Sequence, residues 1–211
     1  MMLSGKHTIT LTLLLLLTFA QITKAEPVAK AILITPSVLA KSADAPAREI
    51  QRGGDIHSHD TLTSGENARA ILRFNEGTML TMGGNTQMKI EDFIFSDDKK
   101  QARFEFLKGA FRIVTGAITK TSNPNFSVNT PIGSIGVRGT DFWGGNLSND
   151  ESIDVVLLES EHTVEVSNQY GKVVLTQKGE GTTLLPNKPP LSPRKWPQEK
   201  LNRAFKTIAT E

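Results

Sequence analysis

Three groups of residues have the types and spacing that chemistry requires. His57-Ser58-His59-Asp60 sets two imidazoles two positions apart, on one side of the chain if the segment is a strand, with a carboxylate beside them. Nitrogen and oxygen donors of this kind suit zinc or copper outside the cytosol. A closed metal site takes three or four ligands, whereas His7 lies in an apolar N-terminal stretch and His162 is about a hundred residues further on. His57 and His59 are therefore weak candidates, and the sequence predicts no metal and no other cofactor. Glu159 and Glu161, also two apart, could share a strand face as glycosidase carboxylates do. They read more simply as solvent-facing positions opposite Leu158. The chain has no cysteine and no Gly-x-Ser-x-Gly elbow, and its glycine runs do not open a helix as a phosphate loop would. The expectation is a protein that is not an enzyme, with a carboxylate-dependent hydrolase as the remoter alternative.

The third group lies in Asn125 to Gly145, where Phe126, Val128, Ile132, Ile135, Val137 and Phe142 recur two or three positions apart, punctuated by glycines. A helix would lose about 1 kcal/mol at each glycine and a backbone donor at Pro131, so the stretch reads as strand, turn, strand. Arg138 is the one strong charge within it. Buried, it must pair with a carboxylate, and Asp141 is nearest in sequence; exposed, it would join Trp143 in contacting an anionic, glycan or protein partner. Phe126-Ser127-Val128-Asn129-Thr130-Pro131 followed by Gly136-Val137-Arg138-Gly139-Thr140-Asp141-Phe142 resembles the signature of the FecR domain family. The resemblance spans roughly Val28 to Leu185. That family takes its name from the regulator that relays ferric-citrate occupancy of an outer-membrane transporter to a sigma factor. It implies a compact, twisted β-structure in which each glycine turn starts a layer, and makes Thr130, Pro131, Gly136, Arg138, Gly139, Thr140, Asp141 and Phe142 a structural motif. Two family glycines have no counterpart here, one near Pro36-Ser37 and one where Glu159-Ser160-Glu161 stands.

The N-terminus has the layout of a secretory signal: Lys6 and His7 precede an apolar run from Ile9 to Ala20, and Thr23-Lys24-Ala25 offers a cut after Ala25. That run is shorter than the roughly 20 residues of a membrane span, so no stable membrane insertion is expected after cleavage. The leader takes Lys6 and Lys24 with it, leaving 22 cations against 22 acids from the 24 and 22 of the whole chain. A formally neutral remainder gives no basic patch for nucleic acid. The location expected is periplasmic or secreted.

Alternation and turn residues predict strands throughout residues 26–185: a first strand near Ala31–Ile34, a hairpin over residues 68–82 with Gly77 at its turn, a charged tip at Asp97-Asp98-Lys99-Lys100, and a second hairpin pivoting on Gly109. About a dozen short strands without a helical pattern argue an all-β fold, a twisted β-sandwich or roll with solenoid-like strand-glycine-strand layers. Prolines make residues 186–197 an extended linker. In residues 198–211, Leu201, Ala204, Phe205 and Ile208 form the apolar stripe of a short amphipathic C-terminal helix, which must dock because a helix this short is marginal alone. Docking onto its own β-domain with Trp196 as anchor is the expectation, and a partner surface at Trp196 and Phe205 the alternative. The family's membrane-spanning and anti-sigma parts find no counterpart in these residues. The reading is thus a stand-alone extracytoplasmic sensor, adaptor or assembly protein that binds another envelope protein. A glycan or surface-polymer module is the rival, favoured by an exposed aromatic at Trp143 or Tyr170.

Overall fold

The computed structural model describes residues 26–209 except 44, 149 and 160. The expected leader, residues 1–25, and the last two residues of the expected helix lie outside the described residues. The strands, in chain order, are β1 (Ala29–Thr35), β2 (Val38–Lys41), β3 (Arg48–Ile50), β4 (Asp55–Ile56), β5 (Thr61–Ser64), β6 (Arg69–Phe74), β7 (Met79–Met82), β8 (Gln87–Phe95) and β9 (Lys100–Lys108). They continue with β10 (Ala110–Val114), β11 (Phe126–Thr130), β12 (Gly133–Val137), β13 (Asp141–Gly145), β14 (Ile153–Leu157), β15 (Val164–Asn168), β16 (Gly171–Leu175), β17 (Glu180–Leu184) and β18 (Arg194–Lys195), followed by helix α1 (Gln198–Ile208).

The all-β reading holds. One sheet runs β18-β17-β14-β13-β10-β7-β6-β1-β4 and the other β16-β15-β12-β11-β9-β8-β5-β2-β3. The chain passes back and forth between the sheets and adds strands to each almost in sequence order, so every pass builds a layer on the last. Alternation supplies the driving force: β6 turns Ala70, Leu72 and Phe74 inward, and β9 turns Ala102, Phe104 and Phe106 inward from the opposite sheet. The phenylalanine rings meet in two groups, one of Phe74, Phe93, Phe104 and Phe126 and the other of Phe106, Phe111 and Phe142. Phe74 stacks on Phe93 at 4.4 Å between centroids, Phe104 meets Phe74 edge-on at 5.5 Å, and Phe111 meets Phe142 edge-on at 5.8 Å. Each such pair contributes about 0.5–1.5 kcal/mol beyond simple burial.

The hairpin expected at residues 68–82 is β6–β7, with Gly77 at φ 99° in its turn. The one expected at Gly109 is not a hairpin. β9 and β10 belong to different sheets, and Gly109, at φ 99°, turns the corner between them; a Cβ there would fall 2.3 Å from Thr86 Oγ1. A strand-glycine-strand sequence is common to both outcomes, and only burial on the two inner faces separates them. Because β10 leaves for the other sheet, β11 returns parallel to β9, the one parallel pairing among antiparallel ones in the described residues. β8 runs as one strand from Gln87 to Phe95, with a register shift against β9 between Ile90 and Asp92.

After β17 the proline-rich stretch stays tied to the sheet. The Leu191 amide donates to the Thr183 carbonyl, and β18 pairs with β17. Pro197 then sets the extended entry to α1, whose Ala204 and Ile208 are buried. They form a second apolar cluster with Ala110, Trp143, Val156, Leu158 and Trp196, on the outer face of the first sheet. The helix therefore docks onto its own β-domain.

Candidate interaction site at the glycine-rich corner

The corner is assembled from the motif residues. Thr130 Oγ1 accepts the Ile132 amide at 3.3 Å and donates to the Gly133 carbonyl at 2.8 Å, tying the β11–β12 turn around the exposed Pro131. Gly136 lies in β12 between Ser127 of β11 and Glu165 of β15. Gly139, at φ 108°, redirects the chain from one sheet to the other; a Cβ would come within 3.1 Å of both His162 and Thr119. Thr140 fixes the new strand: its amide donates to Thr115 Oγ1 at 2.8 Å and its hydroxyl to the Glu159 carbonyl at 2.5 Å. Phe142 is fully buried against Phe111.

Arg138 is exposed and does not pair with Asp141. The turn at Gly139 puts the two residues on different sheets, so nearness in sequence does not bring their side chains together. The partner of Asp141 is Arg112 of β10, which lies diagonally across the β10–β13 pair, two positions along from Val114, the residue opposite Asp141, with Nε donating at 2.9 Å and Nη2 at 2.5 Å. This bidentate bond raises the Arg112 pKa above its ordinary value against the opposing effect of burial. Sequence reading passed over Arg112; the available signal was a lone charge on the outward face of an otherwise apolar strand.

Trp143 is not half-exposed but fully buried under the C-terminal tail. Its indole N–H donates to Thr207 Oγ1 at 3.1 Å, and Trp196 meets it edge-on at 6.2 Å. Trp196 lies over Gly181, where a Cβ would sit 2.4 Å from its indole nitrogen, and carries the Lys200 ammonium 4.1 Å from its ring centre. Lys200 also binds Asp154 at 2.6 Å. The wide shelf of small and apolar residues on the outer face of the sheet explains why both tryptophans turn inward rather than toward a ligand. Phe205 and Tyr170 remain exposed.

Two open clefts flank the Arg112–Asp141 pair. One, of about 300 Å³, is lined by Thr115, Thr119, Lys120, Glu161 and His162. The other, of about 410 Å³, lies between the β-domain and α1 and is lined by Leu158, Lys178, Lys195, Leu201 and Phe205. Glu159 borders both and is held by Lys178 at 2.7 Å. Asp141 and Glu159, the two carboxylates that border both clefts, are thus each engaged by a cation. A third cleft, of about 430 Å³, includes Tyr170, Asn168, Asn187 and Glu151.

The His57-Ser58-His59-Asp60 segment does not lie in a strand, since β4 ends at Ile56. It is a turn in which His59 takes φ 70° and faces solvent. Asp60 is buried and accepts from Arg48 Nη1 and Nη2 at 2.9 and 2.5 Å, Ser42 Oγ at 2.6 Å and the His57 amide at 2.8 Å. Burial alone would push its pKa up, but these bonds outweigh it and hold the carboxyl below the usual range. Its oxygens are committed to the fold. Among the described residues no three His, Cys, Asp or Glu side chains are placed to hold a metal ion, and no helix is long and apolar enough to cross a membrane.

Residues 60–161 match the family described as FecR protein. Two solved structures, each described as "a putative anti-sigma factor from Parabacteroides distasonis ATCC 8503", share the fold with TM-scores of 0.53 and 0.52 at 18% and 17% identity. Both matches cover 67% of this chain and 62% of the other, so the chain spans less than two thirds of those proteins. No curated protein matches it.

Proposed function

The chain carries a FecR domain at residues 60–161, and on that premise we propose that it is an extracytoplasmic sensor, adaptor or assembly protein that works by contact with another envelope protein rather than by catalysis. The observation that carries this reading is the cleft between the β-domain and α1. Leu158, Leu201 and Phe205 form its apolar floor and one wall, while Lys178, Lys195 and the Arg112–Asp141 pair form a charged rim. An apolar centre inside a polar rim is the composition of a protein-binding patch, and an aromatic at its edge is a common anchor. The anti-sigma description of the two structural relatives is in keeping with a signalling role of this kind.

The test is capture of partners from envelope extract by the full-length protein and by Phe205→Asp. A chain cut after Leu185 is a poor comparison, because it would strip the cover from Trp143 and Val156. A partner held by the parent and lost by Phe205→Asp, with the melting temperature unchanged, supports the reading. Equal capture by both proteins removes the cleft from it. The glycan or surface-polymer alternative now rests on Tyr170 and its cleft, since Trp143 is buried. Retention on polysaccharide columns that disappears in Tyr170→Ala would favour it.

A further inference from the structure

A sandwich built by adding strands in sequence order has open edges at both ends, and this one closes three of its four edges with very short strands. β3 has three residues, β4 two and β18 two. Edges of that length offer little to a new strand. β16, at the end of the second sheet, has five.

Its ends are occupied and its middle is open. At the start, Asn168 pairs with Gly171 across a two-residue turn, and the Asn168 amide group donates to the Lys188 carbonyl at 2.7 Å. Beyond Leu175, the Glu180 carboxylate accepts the amides of Thr176 and Gln177 at 2.7 and 3.1 Å. A two-residue hairpin closes on a hydrogen-bonded pair, so alternation gives Gly171, Val173 and Leu175 the bonds to β15 and turns the N–H and C=O groups of Lys172 and Val174 to the open side. The Val174 side chain is exposed, and Val173 is partly buried against the main core.

We propose that β16 pairs antiparallel with β16 of a second copy, about a two-fold axis through Val173. Three registers bring outward-facing groups of the two strands together. Centring on Lys172 sets two lysines directly opposite, which like charge disfavours. Centring on Val174 calls on Thr176, whose N–H is already given to Glu180. Centring on Val173 places Lys172 of each copy opposite Val174 of the other, so the four outward N–H groups all find carbonyls. It also sets valine against valine on the core side, while Lys172 keeps its contact with Glu165 on its own chain. The contact is isologous and closes on itself, so it stops at a dimer rather than growing. The two nine-stranded sheets become one continuous sheet across the axis.

Sedimentation of the purified protein over a range of concentrations should show a monomer passing to a dimer, and hydrogen exchange should show the Lys172 and Val174 amides slowing as the dimer forms. Val174→Pro removes one outward donor without touching a bond to β15, so it should abolish the dimer and leave the melting temperature near that of the parent. The chain has no cysteine, which makes a single introduced thiol a clean reporter. Val173→Cys should cross-link under mild oxidation much faster than Leu39→Cys, an exposed position on another strand. A monomer at every concentration, or amides at 172 and 174 that exchange equally fast in dilute and concentrated protein, overturns the proposal. So does cross-linking no faster at 173 than at 39.

Discussion

Asp60 and Asp141 are each gripped by an arginine through two nitrogens, yet the surroundings of the two pairs differ. Asp60 has no exposed side-chain surface and receives a hydroxyl and a backbone amide as well as Arg48. The Asp141 side chain keeps 10% exposure, is bound among the described residues by Arg112 alone, and stands between two clefts. The same pairing chemistry locks a loop where every oxygen is satisfied inside the protein. At the rim of a cleft it leaves a charged, directional surface that another molecule can reach. Burial and the number of partners separate a structural pair from an available one.

That contrast is most exposed to failure at Asp60. Asp60→Ala leaves Arg48, the Ser42 hydroxyl and the His57 amide without their acceptor, and should cost about 3–5 kcal/mol in denaturant unfolding. Replacing both partners, Arg48→Met with Asp60→Leu, should recover a large part of that loss. If Asp60→Ala costs no more than Asp141→Ala, the distinction collapses. The acid limb gives a second view. The folded pKa of Asp60 is lowered, so its contribution is complete above the ordinary carboxylate value of about 4 and is lost as pH falls through the lowered value. Asp60→Asn should flatten the fall in stability over that acid range, whereas an unchanged acid limb would show that other groups govern it.

Smaller effects are expected around Asp141. Gly139→Ala forces a side chain into a left-handed conformation beside His162 and Thr119, and should lower stability by about 1–2 kcal/mol. Arg112→Ala should cost about 1 kcal/mol in thermal unfolding, with a larger effect on partner capture than on melting. Arg138→Ala should stay within about 0.5 kcal/mol of the parent. A loss several times larger would return Arg138 to the interior role that its place in an apolar segment first suggested.

The errors and successes of the sequence reading divide along the same line. The β6–β7 and β11–β12 hairpins are legible because each turn and both its strands are local. Gly109 looks the same in sequence, but its strands belong to different sheets, a choice made by burial against β7 and β13. The FecR motif is legible as a string; the arginine that serves its aspartate is 29 residues earlier. The helical stripe at Leu201, Ala204, Phe205 and Ile208 is legible too. That Phe205 stays out while Ala204 and Ile208 go in depends on where the helix meets the sheet.

The sequence by itself determined the all-β class, the helix and the local hairpins β6–β7 and β11–β12, because these follow from periodicity and from the backbone limits of glycine and proline over a few residues. Tertiary structure alone decided that Asp141 pairs with Arg112, that Trp143 and Trp196 bury each other, and that Asp60 accepts from Arg48, Ser42 and the His57 amide. Pairing and burial depend on distance through space, and in a chain that crosses between two sheets at every layer, that distance bears little relation to separation along the sequence.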